Sequence, residues 1–291
     1  CTGLWSPKHA AAWRRITDFV HERTKAKVGI QLAHAGRKAS TCIPWKGGYD
    51  TPLPDGNWPV FSASAIAFTA RNQVPREMSR SDMDRVKGEF ARAAGLAVDA
   101  GFDWLELHFA HGYLMSCFIS PLANRRTDAY GGSLENRLRF PLETIDGARA
   151  AWPSERPMSV RISATDWAPG GTTPEELVAL AKAFKAHGVD ILDVSAGGVV
   201  EEAQPEYGRL FQTPFAERIR LEAGIPTMTV GAITSYSDVN SILAAGRADL
   251  CVLARAHLYD PYWTRHAALE QGYDLPWPDQ YVSVTSFTPR G

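Results

Sequence analysis

From residue 6 onward, stretches with apolar residues at helical spacing alternate with short, nearly continuous apolar runs. Runs of that kind, lacking strict apolar/polar alternation, suit strands of a parallel sheet whose faces are covered by helices. Candidate strands fall at 28–34, 104–108, 159–164, 190–195, 226–231 and 250–255. Helices are expected to begin near Ser6, Ser81, Ser133, Thr173, Thr213, Ser235 and Asp260. Most of these are good N-caps, and Pro174 follows Thr173 at the first helical position. The segment 39–80, rich in Pro, Gly and Trp, is too long for an ordinary βα connection and reads as a functional, substrate-side loop insertion.

Strict alternation with a helix at each end predicts the α/β class and a (β/α)8 TIM barrel. That fold needs eight strands and six are countable here. Because the first recognisable element is a helix, the expectation is that N-terminal strands are missing from this chain and belong before Cys1. A six-strand sheet would leave two long apolar edges. A doubly wound open sheet is less well supported, since no GxGxxG follows a strand and no GxxxxGK[ST] occurs. Residues 1–291 are read as one barrel domain.

With 291 residues, 45% of them hydrophobic, the chain can bury a core without disulfides. A net charge of -1 argues against nucleic acid and against anionic membrane surfaces as partners. No apolar run reaches the roughly 18 residues of a membrane span. Cys1, Cys42, Cys117 and Cys251 lie too far apart for a CxxC metal or cluster site, and they read as reduced thiols of a cytoplasmic protein. A small molecule is the expected partner.

Parity within the strands sorts lining residues from helix-facing ones. Glu106 and His108 oppose Leu105 and Leu107, Arg161 and Ser163 oppose Val160 and Ile162, Gln31 opposes Ile30 and Leu32, and Asp193 and Ser195 oppose Leu192 and Val194. Burying these charges is costly unless they are paired or serve a ligand. For Glu106 and Arg161 the plain structural expectation is an interstrand ion pair. His108, His111 and Tyr113 fall at the C-terminal end of their strand, where barrel enzymes place their sites. Two histidines three apart could hold a metal, but no third ligand is evident nearby, and the trio better suits donors to a carbonyl or oxyanion with Tyr113 as proton donor. The late turns at TVGAI and CVLARAHL are the usual phosphate position of barrels, which makes Gly231 and Arg255 candidates.

Four segments carry a family resemblance: IQLAHAGRK, HFAHGYLMSCFISPLANRRTDAYGGSLENRLRF, SVRISATDW and GRADLCVLARAHLYDPYW. Together they resemble the old yellow enzyme family in its bacterial thermophilic-like branch, over essentially the whole chain. The stretches GNWPVFSASAIAF and WPDQY further resemble the reductase half of bifunctional enzymes that hydroxylate and reduce 2-aminobenzoyl-CoA or salicylyl-CoA. The resemblance implies FMN at the barrel mouth, reduced by NADH or NADPH, with hydride passed from flavin N5 to an electron-poor alkene of an enone or acyl-CoA type. It implies that Gln31 bonds the pyrimidine edge of the flavin and that Arg161 sits near N1 and O2. It also implies that His108 and His111 bind the substrate carbonyl oxygen, that Tyr113 protonates the α-carbon, and that Gly231, Ala232, Ala254 and Arg255 hold the phosphate. Ala254 stands where the family usually has glycine, so the approach to the phosphate is expected to shift. The family's first strand, with its contacts around flavin N5, is not matched, and Cys1 does not replace it. Relatives of this kind form homo-oligomers, with Arg290 a candidate to reach a neighbour's site, and fusion to a flavin monooxygenase domain is the other partner expectation.

Two other readings compete. One is a truncated, non-catalytic barrel serving as a structural part of a larger multifunctional protein. The other is a metal-dependent barrel hydrolase built on His108 and His111.

Overall fold

The computed structural model describes residues 2–287. Cys1 and Arg290 lie outside the described residues. The order is α1 (Pro7–Arg23), β1 (Gly29–Leu32), a 3-10 turn (Gly36–Lys38), α2 (Pro44–Gly47), β2 (Phe61–Ser62), β3 (Arg76–Glu77) and α3 (Arg80–Asp99). There follow β4 (Trp104–Phe109), α4 (Leu114–Ile119), α5 (Leu134–Ala151), β5 (Met158–Ser163), α6 (Pro174–Ala186), β6 (Ile191–Ser195) and α7 (Thr213–Ala223). The chain continues through β7 (Thr227–Val230), α8 (Tyr236–Ala244), β8 (Leu250–Val252), α9 (Arg255–Tyr259), α10 (Trp263–Glu270) and a 3-10 segment (Asp279–Ser286).

Six strands pair in the order β1-β4-β5-β6-β7-β8, every pair parallel. All six expected strands are present, and the class is α/β. Caps set the helix starts, with Ser6, Ser133, Thr173 and Ser235 each accepting a first-turn N–H. For α3 the cap is Ser79, not Ser81, because Ser79 and Asp82 form a reciprocal capping box. The last expected strand is shorter than its apolar run, since the chain turns into α9 at Arg255. The helix expected to begin near Asp260 is α10, which starts at Trp263, while the short α9 precedes it and ends with Asp260 as its C-cap.

One continuous apolar cluster fills the space between sheet and helices, and Leu105, Leu107, Val160, Leu192 and Val194 are wholly buried within it. These are the strand residues of the parity opposite to the polar set. The long family-specific block turns out to be architecture. Arg126 donates to Ala63 O (3.0 Å) and Met78 O (2.9 Å), tying the 39–80 segment to the barrel. Arg137 reaches Ile119 O and Glu176, and so clamps α4, α5 and α6 together. Inside the long segment β2 and β3 form a two-residue parallel pair. Among the described residues no helix is long and apolar enough to cross a membrane.

Candidate active site

Register stacks the polar strand residues in layers. Gln31 lies opposite Glu106, and Glu106 opposite Ser159. Gln31 Nε2 donates to Glu106 Oε1 (2.7 Å), Ser159 Oγ donates to Glu106 Oε2 (2.8 Å), and Trp104 Nε1 donates to Ser159 Oγ (2.8 Å). Two residues further on, His108 lies opposite Arg161, and Arg161 opposite Asp193. Arg161 Nη1 donates to Asp193 Oδ2 at 2.9 Å. The expected Glu106–Arg161 ion pair is therefore corrected. Parity put both on one face, but the register sets them a layer apart, and each takes its partner from its own layer.

His108 is buried and, among the described residues, neither ring nitrogen has a hydrogen-bond partner, and Arg161 Nε and Asp193 Oδ1 are likewise buried without one. Buried polar atoms seldom stay unpaired, so four such atoms in one layer mark where a polar ligand belongs. Burial, with Arg161 beside it, lowers His108 to about 4. Burial, His108, Arg161 and Lys38 lower His111 to about 3. Both rings are neutral at pH 7 and offer uncharged N–H groups. Burial also pushes the Asp193 carboxyl upward against the pull of Arg161. It raises the Tyr113 hydroxyl too, and Asp50 adds to that effect.

The chain leaves β4 through a left-handed His111 (φ 61°) and Gly112 (φ 71°). A left-handed non-glycine residue is strained by about 1–3 kcal/mol and needs support. Ser163 supplies it by accepting from His111 N (2.9 Å) while donating to Gly197 O (2.8 Å). Gly198 packs so closely that an added Cβ would stand 3.0 Å from His111 Cα. The ring Nε2 lies 2.8 Å from Ser195 Oγ. The His108 ring centroid is 5.1 Å from that of His111 and 5.2 Å from that of Tyr113, so the three expected catalytic side chains form one cluster.

At the ends of β7 and β8 the expected phosphate residues also come together. Gly231, Ala232, Ala254 and Arg255 line one open cavity of about 1220 Å³ together with Ser195 and Gln212. Gly231 (φ 108°) and Ala232 (φ 50°) are both left-handed, and a Cβ on Gly231 would stand 2.5 Å from Gln212 Nε2. Ala254 has φ -116°, a value open to any L residue, so alanine replaces the family's glycine there without backbone strain. Arg255 is exposed and makes no ion pair among the described residues. Gln31 is not gathered with this group. It lines a second cavity of about 900 Å³ with Leu4, His34 and Phe90.

Two residues of the site, Lys38 and Gln212, escape sequence reasoning. Lys38 is buried, with Nζ 3.4 Å from Asp50 Oδ2, 3.8 Å from the centre of the Phe68 ring and 5.8 Å from that of Tyr113. It joins the 39–80 segment to the cluster, and burial lowers its pKa. Gln212 acts through hydrogen bonds to Val230 O and Ser195 Oγ. A family model described as NADH:flavin oxidoreductase / NADH oxidase family matches residues 1–273. The chain is 45% identical over 279 residues to an NADPH dehydrogenase of Geobacillus sp. (strain WCH70), covering 96% of this chain and 76% of that protein. It shares the fold of a 2-naphthoyl-CoA reductase complex (TM-score 0.77, 24% identity, 93% of this chain and 42% of that one). Morphinone reductase has the fold as well (TM-score 0.74, 24% identity, 96% and 74%).

Proposed function

The chain belongs to the NADH:flavin oxidoreductase / NADH oxidase family, and from that premise we propose that it reduces the activated C=C of an α,β-unsaturated carbonyl compound or acyl thioester. It is an FMN-dependent NAD(P)H oxidoreductase of the old yellow enzyme type, with the (β/α)8 barrel fold. FMN, when bound, supplies the hydride relay between nicotinamide and alkene.

The residues present fit that group. The open cavity at Gly231, Ala232, Ala254 and Arg255 offers a glycine where no Cβ fits and a cation with no ion pair among the described residues, as a phosphate requires. Arg161 keeps a guanidinium beside the buried His108 ring, where positive charge favours an anionic ring system, whereas Gln31 spends an amide N–H on Glu106 and lines a separate cavity. His108 and His111 hold the substrate carbonyl oxygen and draw electron density from the alkene, and Tyr113 delivers a proton to the α-carbon. The observation that carries this reading is His108, a buried neutral imidazole whose two nitrogens have no partner among the described residues, inside a cluster that holds a tyrosine. The 39–80 segment, held by Lys38 and Arg126, shapes the pocket of a single domain.

The thioester arm of the proposal rests on the resemblance of GNWPVFSASAIAF and WPDQY to aryl-CoA reductase sequences. In the naphthoyl-CoA complex the same fold carries a CoA thioester. Anaerobic incubation with NADPH and either cyclohexenone or an unsaturated acyl-CoA tests both arms. The expected result is a saturated product carrying deuterium at the β-carbon when the nicotinamide hydride is labelled. Oxidised nicotinamide with the alkene intact would contradict it.

A further inference from the structure

Gln212 is buried, and its Nε2 lies 2.8 Å from Val230 O. A carbonyl can only accept, so the amide nitrogen must face it and the Gln212 oxygen must face the other way. That oxygen lies 3.2 Å from Ser195 Oγ and can only accept, so the single Ser195 proton goes to Gln212. With its proton used, Ser195 Oγ can only accept from His111 Nε2, 2.8 Å away. His111 Nδ1 makes no hydrogen bond among the described residues. One backbone carbonyl at the end of β7 thus fixes, through two side chains, which nitrogen of a neutral histidine bears the proton.

We propose that Gln212 and Ser195 are positioning residues that set the tautomer of His111, holding it as the Nε2–H form with Nδ1 as an acceptor until a ligand oxygen arrives. This rests on the reading of His108 and His111 as the carbonyl-binding pair. Before substrate binds, His108 can donate from either nitrogen and His111 cannot donate from Nδ1. For His111 to donate there, its proton moves from Nε2 to Nδ1 and the Ser195 hydroxyl turns from Gln212 Oε1 to His111 Nε2. No atom is gained or lost, and one hydrogen bond, Ser195 to Gln212, is exchanged for the one to the ligand. Val230 immediately precedes Gly231, so the same relay ties the histidine to the turn lining the open cavity.

The test is the ¹⁵N spectrum of the flavin-loaded protein labelled at histidine, with His111 assigned by its loss in His111→Gln. The expected wild-type pattern is a pyrrole-type Nε2 and a pyridine-type Nδ1. Ser195→Ala removes the acceptor for Nε2–H and leaves the Gln212 bond to Val230 intact, so the tautomer ratio should move toward Nδ1–H by about fivefold or more, the worth of one ordinary hydrogen bond. Gln212→Met frees the Ser195 proton for His111 Nε2 and should move the ratio the same way. A wild-type Nδ1–H ring, or a ratio unmoved in both variants, overturns the proposal. The spectrum is read without substrate, so a protein that shows the shifts but leaves enones untouched would sink the carbonyl-binding role and leave the relay standing.

Discussion

The two ends of the site are built on opposite principles. At the ends of β4, β5 and β6, polar side chains that are buried or half-buried are mostly satisfied by one another, as in Arg161–Asp193 and His111–Ser195–Gln212. At the ends of β7 and β8 the candidate phosphate residues line an open cavity, and Arg255 stands exposed without an ion pair among the described residues. A buried group deprived of its partner is left uncompensated in a poorly polarisable interior, whereas an exposed one is simply hydrated. Substitutions in the first region should therefore disturb fold and chemistry together. Those in the second should weaken a ligand and leave the fold alone.

The sharpest way to break this contrast is Arg161→Ala, which strands the Asp193 carboxyl, only 2% exposed. Urea unfolding should show a loss of about 3–5 kcal/mol, and Arg161→Met combined with Asp193→Leu should recover much of it. If Arg161→Ala unfolds like the wild type, the layer is not the buried network described above. Next comes Tyr113→Phe, which keeps the ring beside His108 but removes the proton; kcat for enone reduction should fall by about 10²–10⁴-fold, with nicotinamide oxidation itself little changed. Equal slowing of both half-reactions would deny the tyrosine its role.

Acid should separate the regions as well. Burial lowers His108 to about 4 in the folded protein, below the ordinary 6.5, so the unfolded chain takes up the proton first. The contribution is present in full above pH 6.5 and is lost as pH falls toward 4, by about 3 kcal/mol. His108→Phe should lack that part of the pH dependence in urea unfolding between those limits, and an unchanged slope would place the ring in water. The smallest effect belongs to Arg255→Ala, for which FMN affinity should drop about tenfold in a titration at low salt with the unfolding midpoint of the flavin-free protein unmoved. A shifted midpoint would mean that this end, too, is structural.

Much of the fold was legible because parallel strands announce themselves as apolar runs and helices by their caps. The six strands and the caps Ser133, Thr173 and Ser235 stand where the pattern put them. Parity correctly separated Arg161 and Asp193 from Val160 and Leu192, but parity does not fix register, and the two-residue offset between Glu106 and Arg161 was invisible in one strand at a time. The histidines and Tyr113 were legible because they sit where a strand ends. Gln212 was not, because it lies in an irregular stretch before α7 where neither period applies, and Lys38 takes its partners Asp50 and Phe68 from the long segment. Such residues become meaningful only once non-local packing is known.

The central claim is that one barrel carries a buried reducing cluster and a separate open anchor for the same flavin. Its most direct test is the visible spectrum of the purified chain with added FMN, followed by anaerobic addition of NADPH. The account predicts that flavin co-elutes with the protein, shows the perturbed bands of a bound isoalloxazine and bleaches with nicotinamide. A protein that takes up no FMN, or binds it without bleaching, would contradict the account.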